Sequence, residues 1–321
     1  MPRRLLTGAC AVLLAVGASA CGGSDTETTE GGLTKITVGA IPIVDVAPLH
    51  LGIDQGYFET QGLEVEVKNT SGGAQAVPGV VSGDFDFAFG NVTSLLVARD
   101  SGLPVQTVAN GVSSTGKEGE DFGAIVVPEG SDIKSAKDLA GAKVAVNNLK
   151  NIGDTTVRNS VRTDGGDPSN IQFTELPFPD MPAALEKKEV DAAWVVEPFL
   201  TTALDGGATE IASNFVDAHE QLTVAVYFTT EETAKKDPEL VEKFVTAMNH
   251  SLSYAESNPE EVRRILGTYT EMDQQLIEDI RLPAFPPDSS IDSVQTIGDM
   301  MKEDGLIKED PQVSELFPGR A

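Results

Sequence analysis

Between residues 35 and 100 the chain switches repeatedly between period-two and helix-like apolar spacing, and this alternation restricts the possible folds more than any other feature. Residues 35–39 of KITVGAIPI alternate as a strand. Val46, Leu49, Ile53 and Tyr57 follow at i, i+3, i+7 and i+11, which predicts one helix, N-capped by Asp45 and stopped near Gly56. LEVEVKNT is the next strand, residues 71–82 a short helix opened by Gly72 and Gly73, FDFAFGN a third strand, and residues 92–100 a third helix. Strands that alternate with helices are parallel strands, because a parallel neighbour is reached only through a long crossover.

A loop rich in Ser, Gly and Glu at 113–121 interrupts the series, and FGAIVV restarts it as a strand. KDLAGAKVAVNN, a helix from 153 to about 162, strand IQFTEL, helix DMPAALEKKE, strand DAAWVV and helix FLTTAL form a second alternating set. LTVAVYFTT is a strand placed to return the chain to the first unit. From residue 231 the pattern is helical. Asp237-Pro238 and Asn258-Pro259 each set an N-cap before a proline, with Glu261 completing a box-like start. Val241, Phe244, Val245, Met248 and Leu252 make one apolar stripe, expected to pack on the first unit.

SGDFDFAFGN and KKEVDAAWVVEP echo each other, each with an Asp at the strand start and a polar group past its end. Two open α/β units of this kind can face each other across a cleft at their strand C-termini. The expected lobes are residues 34–121 with 228–321, and residues 122–227.

The N-terminus carries a separate message. Arg3 and Arg4 precede the short apolar run LLTGACAVLLAVGA, and the small residues Ala18, Ser19 and Ala20 precede Cys21. The apolar run is too short to span a bilayer and reads as an export signal over residues 1–20. A cysteine directly after small residues resembles the lipoprotein box of bacteria, which implies lipidation of Cys21 and a flexible tether over residues 21–33. The chain's only other cysteine, Cys10, lies inside the signal, so no disulfide, thiolate metal site or cysteine nucleophile is expected in the body. The net charge is -27, or -29 without Arg3 and Arg4, which argues against nucleic acid and against direct adhesion to anionic lipid.

LHLGIDQGYFETQGLEVEV resembles the "dkGyFkkeGLdVe" turn of the substrate-binding proteins of nitrate, sulfonate and taurine ABC importers, a group that includes thiamine-pyrimidine binders. Gly56, Tyr57, Phe58, Gly62, Leu63 and Val65 carry the match. VSGDFDFAF, SGLPVQTVA, KSAKDLAGAKVAV and EVDAAWVVEPF match further segments of the family in order, so the resemblance spans roughly residues 36–270. It implies an α/β, type II periplasmic-binding fold: two lobes of mixed, mostly parallel sheet flanked by helices and closing on a small solute. The implied partners are that solute, an ABC permease and its ATPase. The chain would act as an extracytoplasmic monomer held to the outer face of the cell membrane by its lipid alone, with no cofactor and no metal.

Ligand loops are expected at strand C-termini and helix N-termini, at residues 40–45, 71–75, 90–94, 147–155, 179–181 and 197–198. The candidate contacts are Pro42, Asp45, Ser71, Gly72, Gly73, Asn91 and Thr93 from the first lobe. From the second they are Asn148, Gly153, Asp154, Thr155, Trp194 and Glu197. Several have a plainer role open to them: Asn91, Thr93, Asp154 and Thr155 can cap helices, Trp194 can be core, and Glu197 can cap the next helix or bridge the hinge. His50, His219 and His250 are unclustered and read as structural or surface residues, and Tyr57 and Phe58 as packing. Among these loops only Lys150 is basic, whereas Asp45, Asp154, Asp180 and Glu197 are acidic. That balance favours a nitrogen-bearing or zwitterionic solute over nitrate or an alkanesulfonate. An enzyme of the thiamine-pyrimidine synthase type would need a cysteine-rich loop that the body lacks; HExxH, G-x-S-x-G and phosphate-binding Gly-Lys motifs are also missing.

Overall fold

The structure is a computed structural model and describes residues 32–319. The signal segment, Cys21 and the tether up to residue 31 lie outside the described residues. The strands are β1 (Thr34–Ala40), β2 (Leu63–Asn69), β3 (Phe87–Asn91), β4 (Val105–Ser113), β5 (Gly123–Val127), β6 (Lys143–Val146), β7 (Gln172–Glu175), β8 (Ala192–Val196), β9 (Thr209–Ala212) and β10 (Thr223–Thr230). The helices of the two α/β series are α1 (Ala47–Asp54), α2 (Tyr57–Thr60), α3 (Gly73–Ser82), α4 (Val92–Asp100), α5 (Ile152–Thr163), α6 (Met181–Glu186), α7 (Phe199–Asp205) and α8 (Asn214–Ala218). The C-terminal helices are α9 (Glu231–Lys236), α10 (Pro238–Ser257), α11 (Pro259–Tyr269), α12 (Gln274–Asp279), α13 (Ile291–Glu303) and α14 (Val313–Leu316).

The strands form two sheets of the same design, ordered β2-β1-β3-β10-β4 and β7-β6-β8-β5-β9. In each, three parallel strands are followed by one antiparallel strand that has crossed from the other lobe, β10 in the first sheet and β5 in the second. The echo between SGDFDFAFGN and KKEVDAAWVVEP is the sequence trace of this duplication, since β3 and β8 hold equivalent places. Each is pinned by its leading aspartate in the same way. Asp86 accepts from the Thr37 N–H at 2.7 Å and Asp191 from the Lys143 N–H at 2.8 Å. A carboxylate that takes a backbone donor at a strand start fixes the register of the central strands.

Three expectations are corrected. Asp45 does not cap α1; it lies buried in a one-turn 3₁₀ segment, and α1 starts at Ala47. The apolar series through Tyr57 is not one helix either: Gly56 takes a left-handed conformation (φ 73°) that ends α1 and lets Tyr57 start α2. Asn258 forms no box with Glu261, because its amide donates back to the Tyr254 carbonyl at 2.8 Å, whereas Asp237 does cap α10 by accepting from Leu240 N at 3.0 Å. The first sheet takes up the chain again with β10, which pairs with β3 on one side and β4 on the other. Of the apolar stripe on α10, Phe244, Met248 and Leu252 are fully buried, and Phe244 stacks on Phe87 of the first sheet with ring centroids 4.0 Å apart.

Candidate functional site

Residues at and just past the C-terminal ends of β1, β3, β6 and β8 meet between the lobes. They enclose a small inner chamber of about 20 Å³, room for one water-sized group. Ile41, Ile43, Asp45 and Asn91 come from the first lobe, and Asn147 and Trp194 from the second. The rings of Phe89, Phe178 and Phe215 complete the wall. Asp45 is the one ionisable side chain in this lining. It is 3% exposed, and its Oδ1 has no hydrogen-bond partner. Burial pushes its carboxyl up to about 7, and the nearby Asp121 adds to the rise. Two phenols share its surroundings: the partly buried Tyr269 donates to the Ile43 carbonyl at 2.9 Å, while the hydroxyl of the fully buried Tyr227 has no partner. Burial and the Asp45 charge raise both phenols.

An outer chamber of about 410 Å³ adjoins the first and shares Ile41, Ile43, Asn147 and Phe178 with it. Its other walls are mainly Pro42, Pro177, Pro179 and Phe199, with Ser71 and Asn148 at the lobe junction. Thr70 Oγ1, Asn147 Oδ1 and Asn148 Oδ1 are buried there without partners.

The lobes touch beside these chambers at two glycines. Gly72 has φ 128°, and a Cβ on it would lie 2.6 Å from Asn148 Oδ1 of the second lobe; a Cβ on Gly73 would lie 2.0 Å from Ser94 Oγ of its own lobe and 3.8 Å from Asn151 Nδ2 of the other. That closeness lets Asn151 latch the lobes. Its Oδ1 accepts from Thr93 Oγ1 at 2.6 Å, and its Nδ2 donates to Ser94 Oγ at 2.8 Å. Arg162 and Asp304 add a second bridge, with two N–H···O contacts of 2.9 Å.

Of the residues singled out from the sequence, Asp45, Gly72, Gly73, Asn91 and Trp194 line the inner chamber, and Pro42, Ser71 and Asn148 the outer one. Trp194 is both wall and core, packed against Phe178 and Phe215 with its indole N–H unpartnered. The other five lie elsewhere. Thr93 is spent on the latch. Gly153 lies beneath the indole, where a Cβ would come within 2.6 Å of the ring. Asp154 accepts from the Lys150 N–H at 3.1 Å, and burial pushes its carboxyl up to about 6. Thr155 donates to the Asn151 carbonyl, and Asn151 rather than either of them caps α5. Glu197 is fully buried away from both chambers, where it accepts from Thr201 N, Thr201 Oγ1 and Arg281 N. It thus ties the first turn of α7 to the backbone at Arg281, without an ion pair to the Arg281 side chain, which pairs with Glu210. His50 stacks on Tyr269 at 3.8 Å, and burial pushes it down to about 4.

Sequence reasoning missed Phe89, Phe178 and Phe215, whose apolar spacing marks core and not wall, and Asn147 and Asn151, two more asparagines in a polar loop. Among the described residues no group of acidic, histidine or cysteine side chains is arranged to hold a metal ion.

Residues 43–262, more than half of the chain, match the family described as NMT1/THI5 like. The chain belongs to this family. The phosphate-import protein PhnD of Mycolicibacterium smegmatis is 27% identical over 217 residues, covering 65% of this chain and 62% of that protein. A formylaminopyrimidine-binding protein of Halalkalibacterium halodurans is 24% identical over 144 residues, 45% of this chain and 41% of that protein. The chain thus spans less than two thirds of the length of these relatives. The periplasmic aliphatic sulphonate-binding protein SsuA of Escherichia coli superposes with a TM-score of 0.70 at 19% identity, over 88% of this chain and 97% of its own. The fold is the periplasmic-binding-protein fold expected from the sequence.

Proposed function

We propose that this protein is the extracytoplasmic solute-binding component of an ABC importer. It captures a small nitrogen-bearing or zwitterionic solute by closing its lobes and hands it to a permease and its ATPase. It is not an enzyme, and it acts as a monomer. The observation that carries the solute class is Asp45, the one ionisable side chain in the inner-chamber lining, buried and with an unpartnered oxygen. A buried carboxylate with one unpartnered oxygen in the cleft favours N–H donors and repels nitrate or a sulfonate. The names of the relatives support binding of a small solute and differ in which one.

The test is a thermal-shift screen of small nitrogen and sulfur compounds. A true ligand present at 100 times its Kd adds about 2.7 kcal/mol, which is a clear rise in melting temperature. Hits are expected among amines and amino-heterocycles, with a fall in radius of gyration by small-angle scattering as the lobes close. A library in which no compound raises the melting temperature would remove the receptor reading.

The export signal over residues 1–20 and the lipid on Cys21 belong to the same proposal and rest on sequence. Cys21→Ala is expected to move the protein from the membrane fraction to the soluble fraction with its melting temperature unchanged. A variant that still sediments with membranes counts against the anchor.

A further inference from the structure

The cleft is divided into two chambers of unequal size and unlike chemistry, which is more than a single small solute requires. The inner one has room for one water-sized group, at about 20 Å³, and the outer one holds about 410 Å³. We propose that the cleft takes a two-part ligand: a primary ammonium head seated on Asp45 in the inner chamber, and a flat, mainly apolar body in the outer chamber against Phe178 and Phe199. This rests on the receptor reading and narrows it.

The inner chamber fits an ammonium on three counts. Its volume is that of about one water-sized group, which suits a compact –NH3+ better than a sulfonate, a phosphate or a trimethylammonium. Its side-chain oxygens are acceptors: Asp45 Oδ1 and Asn147 Oδ1 are buried without partners. Asn91 spends its amide N–H on the Val224 carbonyl and keeps its own oxygen for a donor. An –NH3+ group carries three donors and so matches these oxygens, while the unpartnered Trp194 indole N–H in the same wall calls for an acceptor elsewhere on the ligand. The rest of the wall is apolar and includes the rings of Phe89, Phe178, Trp194 and Phe215. Ring faces attract a cation and repel an anion, most strongly where water is excluded.

The outer chamber fits a mainly apolar body; its one ionisable lining residue is Glu175, whose Oε2 already accepts from the Leu149 N–H at 3.1 Å. Prolines 42, 177 and 179 and the rings of Phe178 and Phe199 give it flat apolar walls. Phe178 belongs to both chambers, so it marks the place where head joins body. Thr70 Oγ1 and Asn148 Oδ1 offer polar contacts to a heteroatom at the body's edge.

Seating a cation requires Asp45 ionised. The titratable groups that face it are Asp121, Tyr227 and Tyr269, with His50 stacked behind Tyr269. None of these supplies a positive charge near neutrality, because His50 is pushed down to about 4. The ligand is then the counter-ion, and its binding expels a proton below about pH 7.

Titration calorimetry on the protein with benzylamine, methylamine, benzoate and benzyltrimethylammonium tests the proposal. Benzylamine is expected to bind. Methylamine, which keeps the head and loses the body, should bind at least about tenfold more weakly, because a buried ring is worth more than about 1.4 kcal/mol. Benzoate and benzyltrimethylammonium should give no saturable heat. Asp45→Asn should weaken benzylamine by about ten- to a hundredfold and abolish the gain in affinity from about pH 6 to about pH 8. A melting curve shows that the variant is folded. Benzoate binding as tightly as benzylamine, no binding of benzylamine, or an Asp45→Asn variant with unchanged affinity and pH profile each overturns the two-part amine ligand. If anions bind and close the lobes, the receptor reading survives this failure. Only a whole solute library without a hit removes both.

Discussion

Glu197→Ala is expected to lower the stability of the protein by about 3–5 kcal/mol, because it leaves three donors in a buried site without their acceptor. Glu197 is fully buried, just past β8. Its Oε1 accepts from Thr201 Oγ1 at 2.8 Å and from Arg281 N at 3.0 Å, and its Oε2 accepts from Thr201 N at 3.0 Å. Burial pushes the carboxyl up, and these donors pull it back. Truncation orphans two backbone N–H groups and a hydroxyl at once, each costing about 1–3 kcal/mol when buried. It also unpins Arg281, which follows α12 and reaches the second lobe through Glu210 at 2.7 Å. Glu197→Gln should cost less, about 1–3 kcal/mol, because one donor must then face an amide nitrogen instead of an oxygen. Urea unfolding measures both, with the midpoint falling at constant slope. A Glu197→Ala variant that unfolds like the wild type would show that the three hydrogen bonds contribute nothing net. Ligand affinity in the folded variants should change little, since Glu197 lines neither chamber.

Asp45→Asn should act in the opposite direction and stabilise the protein by on the order of 3 kcal/mol at pH 8 and above. Burial raises the Asp45 carboxyl from 3.8 to about 7. Between those values the native state holds a proton that the unfolded chain has released. The Asp45 contribution to stability therefore falls as pH rises from about 4 to about 7, and stays low above that. Asparagine keeps the shape and removes the charge. The stability difference between variant and wild type should thus be small near pH 4, widen towards pH 7 and then level off. His50, pushed down to about 4, loses stability in the other direction, as pH falls below about 6.5; Asp154, pushed up to about 6, slopes like Asp45. Both terms are common to the two proteins and cancel in the difference. Thermal or urea melts across pH give the curve, and a difference that does not change with pH would mean that Asp45 is solvated or paired in the native state. A residue that destabilises the empty fold and faces the cleft is the usual mark of a binding group, whose partner arrives with the ligand.

Those two carboxylates show how far the sequence reaches. Both were legible as candidates, because each follows a strand that belongs to an α/β series, and the end of such a strand is a cleft position. The series themselves were written locally. Period-two runs, helical spacing, Asp237 ahead of Pro238, and Asp86 and Asp191 at matching strand starts depend on neighbours a few residues away, so they can be read one segment at a time. The roles of the carboxylates depend on atoms far along the chain. Glu197 became a structural pin because Arg281, 84 positions later, returns to donate to it. Asp45 became the free carboxylate because no donor returns to its Oδ1, and its phenolic neighbours Tyr227 and Tyr269 arrive only with β10 and α11. The latch at Asn151 needs Ser94 at 57 positions' distance and two glycines without side chains between the lobes. The sequence alone determined the element types, the duplicated lobes and the loops that meet, because hydrophobic period and turn chemistry are short-range. Which polar group in those loops is satisfied by the protein and which is left for a ligand was decided by tertiary structure, because hydrogen-bond satisfaction is settled by whichever distant donor packs against each buried oxygen.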